Sequence, residues 1–171
     1  MPPTLTVKTG DILDEPADVL VCSANGQLRM TGGVNLAIFT RPGGEAVERE
    51  LQEHLSRSGR AWVPPGTVVA TGPGPLAVRY ILHAVAIDPV YKTSVDLVRD
   101  TISAALRKAA ELGARTVALT ALATGYGRMS PEDFGEALRQ AAASPFPPVA
   151  EVRVVVRKDS EAEAIRRRLG E

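Results

Sequence analysis

Two short stretches of this chain carry glycines where a backbone could come close to a charged group: Thr31-Gly32-Gly33-Val34 and Ala123-Thr124-Gly125-Tyr126-Gly127. Without a side chain, glycine lets consecutive backbone N–H groups approach a phosphate at hydrogen-bonding distance. Any turn that needs a positive φ uses glycine too, so each stretch alone reads first as an ordinary turn. Taken together, and each following an apolar run, they point to a phosphate or nucleotide site. Asn25, upstream of the first stretch, carries an amide that both donates and accepts; a turn or cap role serves it equally well.

Other phosphate chemistries lack their residues. Gly125-Tyr126-Gly127-Arg128-Met129-Ser130 has no third small residue of the dinucleotide fingerprint and no ribose-binding acid at the usual distance. No Gly-Lys-Ser or Gly-Lys-Thr occurs, which removes the phosphate-transferring loop of nucleotide hydrolases. One cysteine, Cys22, and two histidines, His54 and His83, offer neither an internal disulfide nor metal-ligand spacing, so no metal and no cofactor are expected. The 20 basic and 20 acidic side chains cancel, which argues against generic nucleic-acid binding. Arg166-Arg167-Arg168 reads as the solvated face of a last helix, offset by neighbouring glutamates. No apolar run approaches the roughly 20 residues that span a bilayer, and Met1-Pro2-Pro3-Thr4 does not begin a secretion signal. A cytoplasmic protein without a membrane partner is expected.

The elements that must position these loops follow from periodicity. Thr4–Lys8 alternates polar and apolar residues, whereas Ala17–Cys22 is nearly continuous apolar sequence, as in a strand buried on both faces. Further strands are expected at Thr67–Thr71, Val78–Val85, Thr116–Leu119 and Val152–Val156. Helices are expected over Val34–Phe39, from Glu45 to about Leu55, and from Ser94 to Gly113, where Val95, Val98, Ile102, Leu106 and Ala109 share a face. Ser130-Pro131-Glu132-Asp133 starts another helix, and Asp159 or Ser160, the latter spaced from Glu163 as a capping box, starts the last. Alternating strands and helices imply a mostly parallel or mixed sheet covered on both faces, with ligands at the carboxyl ends of its strands.

Read in order, Gly10-Asp11-Ile12, Val21-Cys22-Ser23-Ala24-Asn25, Gly32-Gly33-Val34, Tyr80-Ile81-Leu82-His83-Ala84-Val85 and Thr124-Gly125-Tyr126-Gly127 resemble the successive signatures of the macro domain family. The resemblance spans nearly the whole chain. It implies a single three-layer α/β/α domain over residues 1–171, with a mixed, mostly parallel central sheet. It also implies a partner: ADP-ribose or a derivative, free, O-acetylated or carried on an ADP-ribosylated protein. Asp11 would accept from the adenine amino group, with the Ile12 backbone nearby. Asn25 would face the distal ribose. Gly32, Gly33 and Val34 would flank that ribose and the diphosphate, and Ala123, Thr124, Gly125, Tyr126 and Gly127 would wrap the diphosphate from the other side. Arg157 stands where the family often places an aromatic residue against adenine, and a guanidinium can stack on a base.

The resemblance leaves binder and hydrolase open, the second acting on O-acetyl-ADP-ribose or ADP-ribosylated proteins by water attack at the distal ribose. Against the hydrolase pattern, Cys22 replaces the first of an asparagine pair, Thr31 replaces the leading glycine, and Asn35 replaces an aspartate. An amide has no useful proton affinity near neutral pH, so Asn25 and Asn35 are candidates for orienting a water rather than for general-base work. Cys22 reads as a small core residue and His83 as a structural histidine. A binder is the expected function.

Overall fold

The computed structural model describes residues 1–171. Six strands, β1 (Thr4–Thr9), β2 (Val19–Ser23), β3 (Val68–Thr71), β4 (Tyr80–Ala84), β5 (Thr116–Leu119) and β6 (Glu151–Val156), form one sheet in the order β1-β6-β5-β2-β4-β3. Every neighbouring pair is parallel except β3 with β4, so the sheet is mixed and mostly parallel. The apolar run of β2 lies in the interior of the sheet, between β5 and β4, where both faces need covering.

Alternation along each strand divides the interior in two. Val19 and Val21 of β2 point to one face with Val117, Leu119, Val152 and Val154, and there they meet α3 (Val95–Glu111), α4 (Pro131–Ala141) and α5 (Asp159–Leu169) through Val98, Ile102, Phe134, Leu138 and Ile165. Leu20 and Cys22 point to the other face, against α1 (Gly33–Phe39) and α2 (Glu45–Ser58), through Ile38, Val47, Leu51 and Leu55. The result is a three-layer α/β/α fold. No helix is long and apolar enough to cross a membrane.

Local signals set most helix ends. The Ser94 side chain accepts from the Leu97 N–H at 3.0 Å, and Gly113, at φ 77°, closes α3. Ser130 accepts from the Asp133 N–H at 3.1 Å, with Pro131 in the first turn. The start of α5 departs from expectation: its N-cap is Lys158, whose side chain caps nothing, and no Ser160–Glu163 box forms. The Asp159 carboxylate instead accepts from Thr9 Oγ1 at 2.6 Å, a tertiary bond to the end of β1. Nor is the Arg166–Arg168 cluster simply solvated. The Arg166 guanidinium donates to the Val7 carbonyl, tying α5 to β1, and Arg167 pairs with Glu132 of α4 at 3.7 Å.

Candidate functional site

At the carboxyl ends of the parallel strands lies a cleft of about 790 Å³. Strand order arranges its walls. Gly10, Ile12, Val155, Val156 and Arg157 follow or end β1 and β6 at one extreme, the loop after β5 occupies the middle, and the loops after β2 and β4 close the other extreme. Four strand spacings separate β1 from β4, about 19 Å at ~4.8 Å each. An extended, two-ended ligand fits that span.

Of the residues singled out from the sequence, Ile12, Asn25, Gly32, Gly33, Val34, Asn35, Ala123, Thr124, Gly125, Tyr126, Gly127 and Arg157 line the cleft. Asp11 sits at its rim, between two lining residues. One of its carboxylate oxygens accepts from the Leu13 N–H at 3.0 Å, capping a short 3-10 turn over Ile12–Asp14, and the other lies 3.8 Å from the Arg157 guanidinium. The two polar groups expected at the base end are therefore neighbours of each other.

The first loop is held from behind by α2. Glu48 accepts from the Met30 N–H at 2.9 Å while pairing with Arg29 at 3.2 Å, and Gln52 donates to the carbonyls of Gln27 and Leu28. Asn25 clasps the same loop: its Nδ2 donates to the Arg29 carbonyl at 2.9 Å and its Oδ1 accepts from the Arg29 N–H at 3.1 Å. One hydrogen and one lone pair of that amide stay available. Gly33 has φ 57°, the left-handed conformation that a side chain resists.

In the second loop, Ala123 adopts φ 66° and its carbonyl accepts from the Met129 N–H at 3.0 Å. Gly127 is packed so tightly that an added Cβ would meet the Ala123 carbonyl oxygen at 2.5 Å and Ile87 Cγ2 at 2.9 Å. Around Gly125, by contrast, nothing lies within 4 Å of that position. The Tyr126 ring crosses to the first loop, where a Cβ on Gly32 would stand 2.8 Å from its hydroxyl oxygen and 2.9 Å from Cε2.

Asn35 lines the cleft yet is only 6% exposed, because its amide turns inward. Its Nδ2 donates to the Ser23 carbonyl at the end of β2, and its Oδ1 accepts from Cys22 Sγ at 3.2 Å. Cys22 in turn lies 3.7 Å from His83 Nδ1, its register partner on β4, and His83 Nε2 meets Thr71 Oγ1 of β3 at 3.0 Å. This buried polar chain ties the start of α1 to three strands. Burial pushes the Cys22 thiol up to about 12 and the His83 imidazole down to about 3, so both are neutral at pH 7. At pH 7 Cys22 is thus a thiol rather than a thiolate, and His83 a far weaker proton acceptor than a free imidazole.

The third wall was not picked out from the sequence. Ala86, Ile87 and Tyr91, in the loop between β4 and α3, line the cleft beside Tyr126, with ring centroids of the two tyrosines 5.8 Å apart. The rule that marked the other loops, a connection leaving the carboxyl end of a buried parallel strand for a helix, applies here as well. The loop carries no glycine to draw attention to it. No group of three or more His, Cys, Asp or Glu side chains is arranged to hold a metal ion.

Comparison with known proteins agrees with this fold. A family profile described as Macro domain matches residues 21–138. A macro domain-containing protein of Streptomyces coelicolor is 36% identical over 173 residues, covering 97% of this chain and 98% of the relative. Among solved structures, a glycine-to-valine mutant of the Oceanobacillus iheyensis macrodomain with ADPR superposes with a TM-score of 0.86 at 23% identity, covering 99% of this chain and 93% of that one. The Trypanosoma brucei macrodomain in complex with ADP-ribose gives 0.79 at 20% identity, with 95% and 68% covered. At these identities the structural likeness speaks to the fold.

Proposed function

The chain belongs to the macro domain family, and from that premise we propose that it binds ADP-ribose or an ADP-ribose derivative in the cleft at the carboxyl ends of its strands. The observation that carries the reading is the linear order of the walls. A carboxylate and a guanidinium lie at the β1–β6 end, a backbone cradle after β5 in the middle, and a second glycine loop with a partly available asparagine amide at the β2–β4 end. That order suits adenine, diphosphate and distal ribose in sequence. No atom lies within 4 Å of the Cβ position at Gly125, which leaves room for a phosphate to approach that backbone. Asp11, though already accepting from Leu13, keeps lone pairs for an exocyclic amine, and Arg157 supplies a planar cation for the base.

Binding is favoured over hydrolysis by the state of Asn35. Its acceptor and one donor are committed to Cys22 and Ser23, and an amide cannot take a proton from water near neutral pH. Titration calorimetry with ADP-ribose tests the reading. Saturable one-to-one binding, with no product formed from O-acetyl-ADP-ribose or ADP-ribosylated protein, is the expected result. Absence of heat at millimolar ligand would remove the binding site, and turnover lost on changing Asn25 or Asn35 would replace the binder with a hydrolase.

A further inference from the structure

The β2–β4 end of the cleft does not stop at the two glycine loops. Tyr126 and Tyr91 continue it outward as a tilted aromatic pair, with an interplanar angle of 38°, and both side chains are more than half exposed, at 69% and 56%. Val90, 67% exposed, extends the same apolar edge. Large apolar groups placed together in water at the mouth of a cleft mark a contact surface.

Tyr91 is held in that position at a conformational cost. Its φ is 62°, a left-handed conformation that a bulky non-glycine residue resists. The turn that imposes it is tied at several points: Asp88 Oδ1 accepts from the N–H groups of Val90 at 2.9 Å and Lys92 at 2.8 Å, the Asp88 N–H donates to the Lys92 carbonyl, the Tyr91 N–H donates to the Asp88 carbonyl, and Thr93 Oγ1 donates to the Ala86 carbonyl at 2.6 Å. No core packing explains this effort, because the ring it presents is exposed. The adjoining charges are positive. Lys92 follows Tyr91 and Arg128 follows Gly127, both exposed. The two cations that line the cleft itself, Arg29 and Arg157, are paired with Glu48 and Asp11, whereas Lys92 and Arg128, outside that lining, have no such partner. The Asp88 carboxylate is turned to its own turn's N–H groups.

We infer that the Tyr91–Tyr126 shelf is a docking surface for the polypeptide that carries the ADP-ribosyl group, and that it favours an acidic stretch of chain. The inference rests on the reading of the cleft as an ADP-ribose site with the distal ribose at the β2–β4 end, since the attached chain then leaves directly over these rings. Tyrosine supplies broad apolar contact with few rotatable bonds, which suits an extended peptide. Lys92 and Arg128 pair with its carboxylates. With net charge zero over the whole chain, a surface of two free cations is small for a nucleic-acid backbone, and an acidic peptide needs no more.

Calorimetry at low and moderate salt with four probes tests it: free ADP-ribose, a peptide ADP-ribosylated within glutamates, the same modified peptide with glutamines instead, and an ADP-ribosylated single-stranded oligonucleotide. The acidic peptide is expected to bind about tenfold more tightly than free ADP-ribose, the equivalent of about 1.4 kcal/mol, with the advantage shrinking as salt rises. The double change Lys92→Gln with Arg128→Gln should remove most of that advantage while leaving free ADP-ribose binding in place, and Tyr91→Ala should bring the peptide-to-free ratio toward one. Equal affinity for the acidic peptide and free ADP-ribose overturns the inference, as does an advantage that survives Tyr91→Ala. An equal or larger gain for the neutral peptide or the oligonucleotide overturns the acidic-chain assignment. Failure of free ADP-ribose itself to bind is a separate result, and it removes the ligand reading instead.

Discussion

Gly125 and Gly127 stand two residues apart in one loop, yet the structure gives them opposite reasons for being glycine. A methyl group at Gly127 meets backbone: the Ala123 carbonyl oxygen at 2.5 Å, with Ile87 Cγ2 at 2.9 Å behind it. The carbonyl oxygen cannot swing aside as a side-chain tip would, so Gly127→Ala must displace the loop. Overpacking of this kind costs about 1–3 kcal/mol, which for a domain of this size lowers Tm by about 2–12 °C. A methyl at Gly125 meets nothing within 4 Å, and its backbone is outside the left-handed region. Gly125→Ala should therefore leave stability within about 0.5 kcal/mol, or raise it slightly by restricting the unfolded chain. The empty space is useful only if something occupies it on binding. With a diphosphate there, the methyl blocks backbone N–H contacts worth about 1–3 kcal/mol, and Kd rises about 5- to 150-fold. Thermal unfolding and ADP-ribose calorimetry on the two variants separate these effects: stability and affinity fall together in Gly127→Ala, and affinity alone falls in Gly125→Ala. A Gly125→Ala protein that binds as tightly as the unaltered one refutes the cradle, and an unshifted Tm for Gly127→Ala refutes the packing reasoning.

Three further outcomes are expected. Asp11→Ala should weaken ADP-ribose binding by about 1–3 kcal/mol if the carboxylate holds the adenine amine, measured by calorimetry; unchanged affinity leaves Asp11 as a turn cap alone. His83 is buried neutral, at about 3 when folded against 6.5 for its ordinary value, so the unfolded chain binds the extra proton as pH falls. Its contribution is intact above about 6.5 and is lost progressively toward 3, at up to about 1.4 kcal/mol per pH unit and about 5 kcal/mol in all. Denaturant unfolding between pH 7 and 4.5 should show a shallower pH dependence in His83→Gln, and identical slopes would mean that the folded imidazole does protonate. Gly44→Ala places a Cβ 1.9 Å from the Ile38 carbonyl oxygen, which no rotamer relieves. Chemical denaturation should register a loss above about 3 kcal/mol or failure to fold.

The sequence alone determined the alternation of strands and helices, the burial of β2, the cap at Ser130, the stop at Gly113 and the two glycine loops. These are short-range properties, set by side-chain period, turn chemistry and backbone freedom within a few residues. Only the tertiary structure decided what those pieces meet. The order β1-β6-β5-β2-β4-β3 puts the two chain termini's strands side by side and so gives the cleft its polarity, an outcome of long-range pairing that no local pattern encodes. Asp159 left its expected capping role for Thr9, 150 residues away in sequence. Asn35 turned from the cleft into a bond with Cys22, and Tyr91 met Tyr126 across two loops. In each case the deciding partner lies on another element, brought near by burial of the sheet, and the energy of that contact outweighs the weaker preference of the residue's own neighbourhood.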